Sequence, residues 1–512
     1  MEKYDVIVIG GGNGGLSAAT FASKCGLKTI LFEKHNLPGG AVTSFRRGRF
    51  EFEPSLHEMC EVGSEEKPGP SRTLFEEMES DAVFVHEDSC YRVICTDPKE
   101  KFDVKLPCGI DNFCDVLEKE VPGSGEPVRR FLRFEKRALD EAYKLDHKEF
   151  KLKDLPEIMN LLRFLSFSTD FVFDIFKIPK KAQHIIEPYW SYVGEPTSTL
   201  NPFMMGMMDY CYILDGAGLP SMFSHEFSLS LDKVIRKNGG QIFYNTEVTK
   251  ILVKNRKAYG VIANGKEYYA DYIICNCFPN QVFGKMIKKK EIPSIEIMKA
   301  NARKVACSFV NVHLGLNKTV QELGIQDYST FILENADTTE QFKNCHGLGG
   351  KGYIIVNALN TVIPDCSPPG TSHLSITCAV YGDYWAYVKP QDYKKVKLKI
   401  AKKIINRYEK STGIEITPYI EEIEVATPVT YSRYLGTPNG TPYGYQNSNW
   451  DNIFLRTMNL FKERSIKDLF FVGAHAQHSV GYNQTYKSGK VAVEEIIQKI
   501  QNEVKNEKNI LK

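Results

Sequence analysis

The chain has 512 residues, 42% of them apolar, and a net charge of +2, so it can bury a large core and presents no global basic field for nucleic acid. Its length points to two or more domains. The first apolar run begins by residue 4 with no Lys/Arg-rich segment before it. The longest apolar stretch, Leu161 to Ile178, is broken by Arg163, Asp170 and Asp174. The thirteen cysteines have no zinc spacing. These features predict a cytoplasmic protein with reduced thiols, no cleaved secretory signal, no spanning helix and no metal centre.

Val6 to Ile9 is a short β-branched run that reads as a buried parallel strand. Gly10, Gly12 and Gly15 give the G-x-G-x-x-G spacing at the turn out of it, with Asn13 and Gly14 inside the turn, and Leu16 to Cys25 reads as the following helix. The glycines serve a tight turn, a close approach to pyrophosphate and the packing of helix on strand, while the helix N-terminus offers free N–H groups to phosphate. Thr29 to Phe32 is the second strand, and Glu33 stands at its end, where an acid can bind ribose hydroxyls. A glycine-rich turn without a ligand is the bland alternative, but strand, turn, helix, strand and acid all fall at the required offsets.

Beyond Glu33 and Lys34 a second glycine pair follows in Gly39-Gly40-Ala41-Val42. This resembles the double-glycine motif after the nucleotide fold in FAD-dependent amine oxidases and phytoene-desaturase-like enzymes. The resemblance implies FAD, with the backbone after the glycines running along the diphosphate toward the flavin. In Arg49 to His57, alternation places Phe50 and Phe52 on one face of a strand. Those families carry Phe-Asp-x-Gly here, and this chain has Phe52-Glu53-Pro54-Ser55 instead, on the segment that lines the substrate side. His57 is a candidate acid or base, against the commoner structural histidine.

Ser71 to Glu79 reads as a helix, and Val83 to His86, Tyr91 to Thr96 and Phe102 to Leu106 as antiparallel strands that leave the nucleotide domain. Ile110 to Leu214 is helical in pattern. Its aromatic piece from Leu161 through Phe167, Phe171, Phe173 and Phe176 reads as a core helix, as the wall of an apolar tunnel, or as a patch for peripheral contact with a membrane, for which Lys177, Lys180 and Lys181 suit anionic lipid. Met204, Met205, Met207 and Met208 add adaptable apolar surface. Asp215 to Met222 reads as a glycine-rich turn before a helix ending at Gly239-Gly240. Four strands follow between Gln241 and Cys275, and the resemblance implies that Val248 holds the adenine through its backbone. Lys394 to Tyr408 is a basic amphipathic helix. Gly347-Leu348-Gly349-Gly350-Lys351-Gly352 matches a nucleotide fingerprint by letter but precedes a strand, so no second nucleotide site is expected there.

Asp468 to Ala474 reads as a strand ending at Gly473, His475 to Tyr486 as a loop, and Ser488-Gly489 as a helix start. In the phytoene-desaturase-like proteins this piece closes over the flavin. The family's multiple-glycine loop is here Val480-Gly481-Tyr482-Asn483-Gln484, which would put Tyr482 and Asn483 near the ring. Pro428 to Tyr445 resembles the equivalent segment of carotenoid isomerases and retinol saturases.

The resemblance covers nearly the whole chain. It implies an α/β fold with a Rossmann-like FAD-binding domain (a parallel sheet with a small antiparallel sheet), discontinuous over 1–80, 215–280 and 440–512, and an α+β substrate or cap domain over 81–214 and 281–439. The implied cofactor contacts are Gly10, Gly12, Asn13, Gly14, Gly15, Glu33, Lys34, Gly39, Gly40, Ala41, Val42, Val248, Gly473, Tyr482 and Asn483. Tyr443, Tyr482 and His57 are the candidates for proton donor or substrate contact. The implied activity is FAD-dependent saturation, desaturation or cis–trans isomerisation of a carbon–carbon double bond in a long apolar molecule, with an electron donor or acceptor and an oligomeric state that motifs do not encode. The competing enzyme is an amine-oxidase-like flavin oxidase using oxygen, for which Tyr443 and Tyr445 would form the aromatic pair. A flavin-binding chaperone or lipid-binding module without turnover is the non-enzymatic alternative.

Overall fold

The computed structural model describes residues 3–510 apart from 88, 147–155, 157–158, 160–166, 448–450, 452–463 and 477–480. Two seven-stranded sheets carry the architecture. In the first, Lys3–Ile9 lies between Thr29–Phe32 and Lys266–Cys275, parallel to both, with Gln241–Phe243 beyond Thr29–Phe32. Leu469–Phe471 adds in parallel to Lys266–Cys275, pairing Phe470 with Ile274. Lys266–Cys275 also continues into an antiparallel ribbon of Lys257–Ala263 and Val248–Lys254. Val6 and Val8 point into a core shared with Leu16, Phe227 and Ile496, whereas Ile7 and Ile9 point into one shared with Ile30, Phe32 and Ile273. Burial on both faces explains why the strand reads as a continuous apolar run rather than an alternating one.

The second sheet runs Ile420–Ala426, Ser308–Leu316, Ser372–Val380, Tyr353–Asn357, Ser329–Leu333, Ser89–Cys95 and Phe102–Pro107. Period-two alternation splits its side chains between two cores. Phe309, Phe331, Tyr353 and Val93 face the helical layer, and Val310, Ile332, Ile354 and Ile94 face the helix Tyr393–Thr412 through Ile400 and Ile404. The result is an α/β protein with a Rossmann-like sheet and a mixed α+β layer beside it. Among the described residues no helix is long and apolar enough to cross a membrane. All thirteen cysteines are free thiols, most of them buried.

Three expectations need correction. Only two of the segments between Val83 and Leu106 pair with each other: Phe84–Glu87 pairs antiparallel with Ala217–Pro220, and Ser89–Cys95 pairs in parallel with Ser329–Leu333 on its other edge. The supposed turn at Asp215 to Met222 therefore contains a strand. The last helix starts at Tyr482 rather than Ser488 and runs to Ile510. The part of the aromatic reading that falls on 161–166 lies outside the described residues, while Phe173 packs in the core and Phe167 and Phe171 stack on one another at the surface.

Candidate active site

A single cavity of ≈ 300 Å³ runs from the end of Thr29–Phe32 to the helical layer of the second sheet. Its first pole is built by the opening turn. Gly12 caps the helix Asn13–Lys24 with no side-chain hydrogen bond, so the first-turn N–H groups are left to whatever fills the cavity. Gly12, Asn13 and Gly14 line that space, and Asn13 Oδ1 is buried without a partner among the described residues. The second glycine pair lies alongside the first, with Gly39 N donating to Gly11 O at 2.7 Å and Val42 N to Gly39 O at 3.0 Å. Gly39 has φ +118, a conformation L side chains rarely adopt. Glu33 is buried at the strand end, its two oxygens accepting from Gly11 N (2.6 Å) and His35 N (2.8 Å). His35 stacks on Tyr434 at 4.2 Å between ring centroids. Lys34, Thr246 and Val248 complete this pole.

The middle of the cavity is formed by chain ends meeting. Asn276 follows Lys266–Cys275, its N–H donating to Ile9 O at 2.9 Å, and its side chain lies against Gly12 and Gly473. Gly473 N donates to Ser488 Oγ at 2.9 Å, and Ser17 Oγ to Tyr486 O at 2.6 Å, which fixes the last helix on the first. Gly40, Ala41, Val42, Gly473 and Gly481 line this stretch. An anion seated here faces an uncapped helix N-terminus and glycine N–H groups, which is the arrangement a dinucleotide pyrophosphate requires. The orphaned Asn13 oxygen and the missing cap fit such a group.

The second pole is apolar with a few polar groups. Met204, Met207, Met208, Phe309 and Tyr443 line it, together with His57, Glu58, Cys60, Glu61, Tyr192, Tyr212, Tyr482 and Asn483. The segment 57–61 is held here by Ala217–Pro220: Met59 N donates to Gly218 O and Gly218 N to Met59 O, at 3.0 and 2.8 Å. Gly218 is required because a Cβ there would lie 2.6 Å from the Val62 side chain. His57 Nε2 contacts Thr377 Oγ1 at 2.8 Å, and burial lowers its imidazole to about 4, so the ring is neutral at pH 7. Glu58 Oε1 accepts from the Tyr192 hydroxyl at 2.8 Å, and burial pushes its carboxyl up to about 8. The Tyr482 hydroxyl meets Ser55 Oγ at 2.7 Å, and burial raises both this phenol and that of Tyr443. Asn483 Nδ2 donates to Glu61 Oε2, and Glu61 has a positive φ of 60°.

The structure thus brings Gly10, Gly12, Asn13, Gly14, Glu33, Lys34, Gly39, Gly40, Ala41, Val42, Val248, Gly473, Tyr482 and Asn483 to one cavity, with Tyr443 and His57 at its far pole. Gly15 is set back from the lining: a Cβ there would strike the Gly10 carbonyl, so its role is packing of helix on turn. Tyr445 does not join Tyr443. It packs on Phe278 at 4.8 Å and donates to Asn280 Oδ1 at 2.6 Å. Sequence reasoning missed Glu58, Glu61, Tyr192 and Asn276. Asn276 sits directly after a strand end, a position that could have flagged it, but nothing local marks the other three.

The family described as NAD(P)-binding Rossmann-like domain matches residues 8–67. Prolycopene isomerase 2 of an Oncidium hybrid is 27% identical over 466 residues, covering 86% of this chain and 75% of that protein. A 1-hydroxycarotenoid 3,4-desaturase of Flavobacterium is 23% identical (95% of this chain, 98% of that one), as is the all-trans-retinol 13,14-reductase of Danio rerio (86% and 78%). The solved structure of wild-type putrescine oxidase bound to putrescine superposes with a TM-score of 0.62 at 13% identity, over 97% of this chain and 99% of that one, which establishes a shared fold. Along most of its length, and not only at the glycine turn, the chain is similar to prolycopene isomerases, a carotenoid desaturase and a retinol reductase.

Proposed function

We propose that the protein is an FAD-dependent oxidoreductase that acts on a carbon–carbon double bond of a long apolar, polyene- or lipid-like molecule. The observation that carries this reading is the continuity of one cavity from a pyrophosphate cradle to a methionine- and aromatic-lined pole. Asn13, the first-turn N–H groups and Gly39 to Val42 would hold the diphosphate, Glu33 the ribose, and Val248 the adenine end. The bound flavin would supply two-electron hydride chemistry. The chain's own contribution is to orient the substrate along Met204, Met207, Phe309 and Tyr443, to exclude water, and to hold protons at Glu58, Tyr443 and Tyr482. A separate electron donor or acceptor completes the cycle. The exposed Phe167, Phe171 and Ile175 beside Lys177 and Lys180 suit peripheral contact with an anionic membrane through which such substrates would arrive.

The test is anaerobic. Purified protein should show a flavin spectrum. Its reduced form, offered a conjugated polyene and an unsaturated fatty acid separately, should reoxidise with loss of one double bond in a saturase, or change double-bond geometry with the flavin still reduced in an isomerase. Protein without flavin would overturn the reading. A second reading, an amine-type oxidase, is favoured by the carboxyl groups of Glu58 and Glu61 at the substrate pole. Bleaching of the oxidised flavin by amines but not by olefins would select it.

A further inference from the structure

We propose that Glu58 is the proton-transferring residue of the double-bond reaction, its carboxyl oriented by Tyr192 and delivering the second hydrogen to the substrate. This rests on the flavin reading above and goes beyond it by naming the acid. Three observations carry it. Glu58 lines the apolar pole of the cavity while remaining only 6% exposed. One of its oxygens is fixed by the Tyr192 hydroxyl at 2.8 Å, and the other, Oε2, is buried with no partner among the described residues. The backbone on either side is pinned: the Tyr328 hydroxyl donates to the His57 carbonyl, and Met59 is paired with Gly218. A carboxyl held in this way presents one unengaged oxygen without freedom to swing out of the site.

Burial favours the neutral form of Glu58, opposed only in part by the hydrogen bond from Tyr192, and the titratable groups around it bring no positive charge. They are the phenols of Tyr189, Tyr192, Tyr212 and Tyr328, the carboxyl of Glu87 and the thiol of Cys90, with no cation in the set. Burial accordingly keeps the proton on Glu58 up to about pH 8, where an ordinary carboxyl would have lost it by 4.5. The other candidates at this pole are less suited. His57 is neutral and engaged by Thr377, and burial raises the Tyr443 and Tyr482 phenols, making them weaker acids.

In the saturating direction a bound reduced flavin would supply a hydride to one carbon of the substrate. The π pair of the double bond then forms a C–H bond at the neighbouring carbon with the Glu58 proton, and the O–H bond of the carboxyl breaks. The substrate is reduced and the flavin oxidised by two electrons, and Glu58 is left as a carboxylate that solvent reprotonates after release. In the desaturating direction the same carboxylate takes the proton.

The experiment compares wild-type holoprotein with Glu58→Gln, Glu58→Asp and Tyr192→Phe, using a polyene substrate and two readouts. The first is infrared: because Glu187 and Glu87 also keep protons, the wild-type minus E58Q difference spectrum is read, and it should contain one protonated-carboxyl stretch that disappears as pH rises through about 8, with or without turnover. The second is kinetic. Saturation should fall as pH rises through the same range. E58Q should lower kcat by about a hundredfold or more with KM and bound flavin unchanged, and E58D should recover part of the loss. Y192F removes a hydrogen bond that favours the carboxylate, so its alkaline limb should move to higher pH. Wild-type kcat in E58Q, or a difference spectrum with no carboxyl band lost on substitution, would overturn the assignment. If E58Q does not fold, an unmoved limb in Y192F overturns it equally. Wild-type protein that reacts with no olefin defeats the functional reading itself, whereas failure confined to the variants defeats only the role of Glu58.

Discussion

A methyl group at Gly15 would strike the carbonyl oxygen of Gly10, and one at Gly14 would come within 2.6 Å of Gly473 N. These two positions set how closely the first helix approaches its strand and the final strand. Gly15→Ala is therefore expected to cost about 1–3 kcal/mol as an overpacked contact and to lower flavin retention by spreading the turn. Differential scanning calorimetry and the flavin-to-protein absorbance ratio would check both. Elsewhere, Glu53 occupies the place of the aspartate in the Phe-Asp-x-Gly motif that the segment resembles, and it is fully committed. Its carboxyl accepts from Ser224 N and Oγ at 2.8 and 2.7 Å and from Leu56 N at 3.1 Å. Glu53→Ala would leave those donors unpaired in a buried setting and is expected to destabilise by about 2–3 kcal/mol, measured as a shift in urea midpoint at constant slope. The departure from the family motif that clouded the substrate side in sequence is thus a clamp between two loops. Ser55, two residues on, does line the cavity.

At the scale of elements, what the sequence made legible were segments whose own residues dictate their state. Val6 to Ile9 and Thr29 to Phe32 could be read because burial on both faces leaves only β-branched and apolar residues there. The Gly347 to Gly352 run was separable from a nucleotide turn because a strand follows. Its glycines instead take positive φ at 349, 350 and 352 and pack against Val310, Lys403 and Asn344. What could not be read are elements whose small residues serve a neighbour distant in sequence. Gly216 and Gly218 look like a loop, yet Gly218 lets its strand lie against Val62. Ser488-Gly489 looks like a helix start, yet Gly489 lies inside the last helix, where a Cβ would come 2.5 Å from Gly14 O and 2.6 Å from Ala18 N. Gly489→Leu should push the two helices apart and expose the cradle. Loss of bound flavin with retained helical circular dichroism is the expected signature. Glu58 was invisible for the same reason. Its proton affinity is raised by burial among elements distant in sequence, and its carboxyl is oriented by Tyr192, 134 residues away.

Over the whole molecule, buried titratable groups set a pH dependence of stability. Burial raises Glu58 and Glu187 to about 8 and Glu87 to about 9, against 4.5 for ordinary carboxyls. It lowers His57 and His373 to about 4 and His313 to about 3, against 6.5. A raised carboxyl keeps its proton in the folded chain while the unfolded chain has lost it, so its contribution is whole below 4.5 and drains as pH rises toward 8 or 9. A lowered imidazole acts oppositely, adding stability as pH rises from about 4 to 6.5 and nothing further above that. The two sets oppose one another up to 6.5, and above it the carboxyls act alone, each at a slope of about 1.4 kcal/mol per pH unit. Thermal melts should give a clearly lower Tm at pH 9 than at pH 6.5. A flat profile would mean that these carboxyls are ionised in the folded protein.

The first helix is made within the first two dozen residues, yet the groups that lock it, Gly473, Ser488 and the helix from Tyr482, come some four hundred and sixty positions later. On the ribosome, then, the glycine turn emerges several hundred residues ahead of its closing partner. A nascent chain halted before Leu469 lacks one parallel strand of the first sheet and the helix that seals it. A chain stopped anywhere upstream of that strand therefore lacks the elements that complete the cradle, however complete its opening motif.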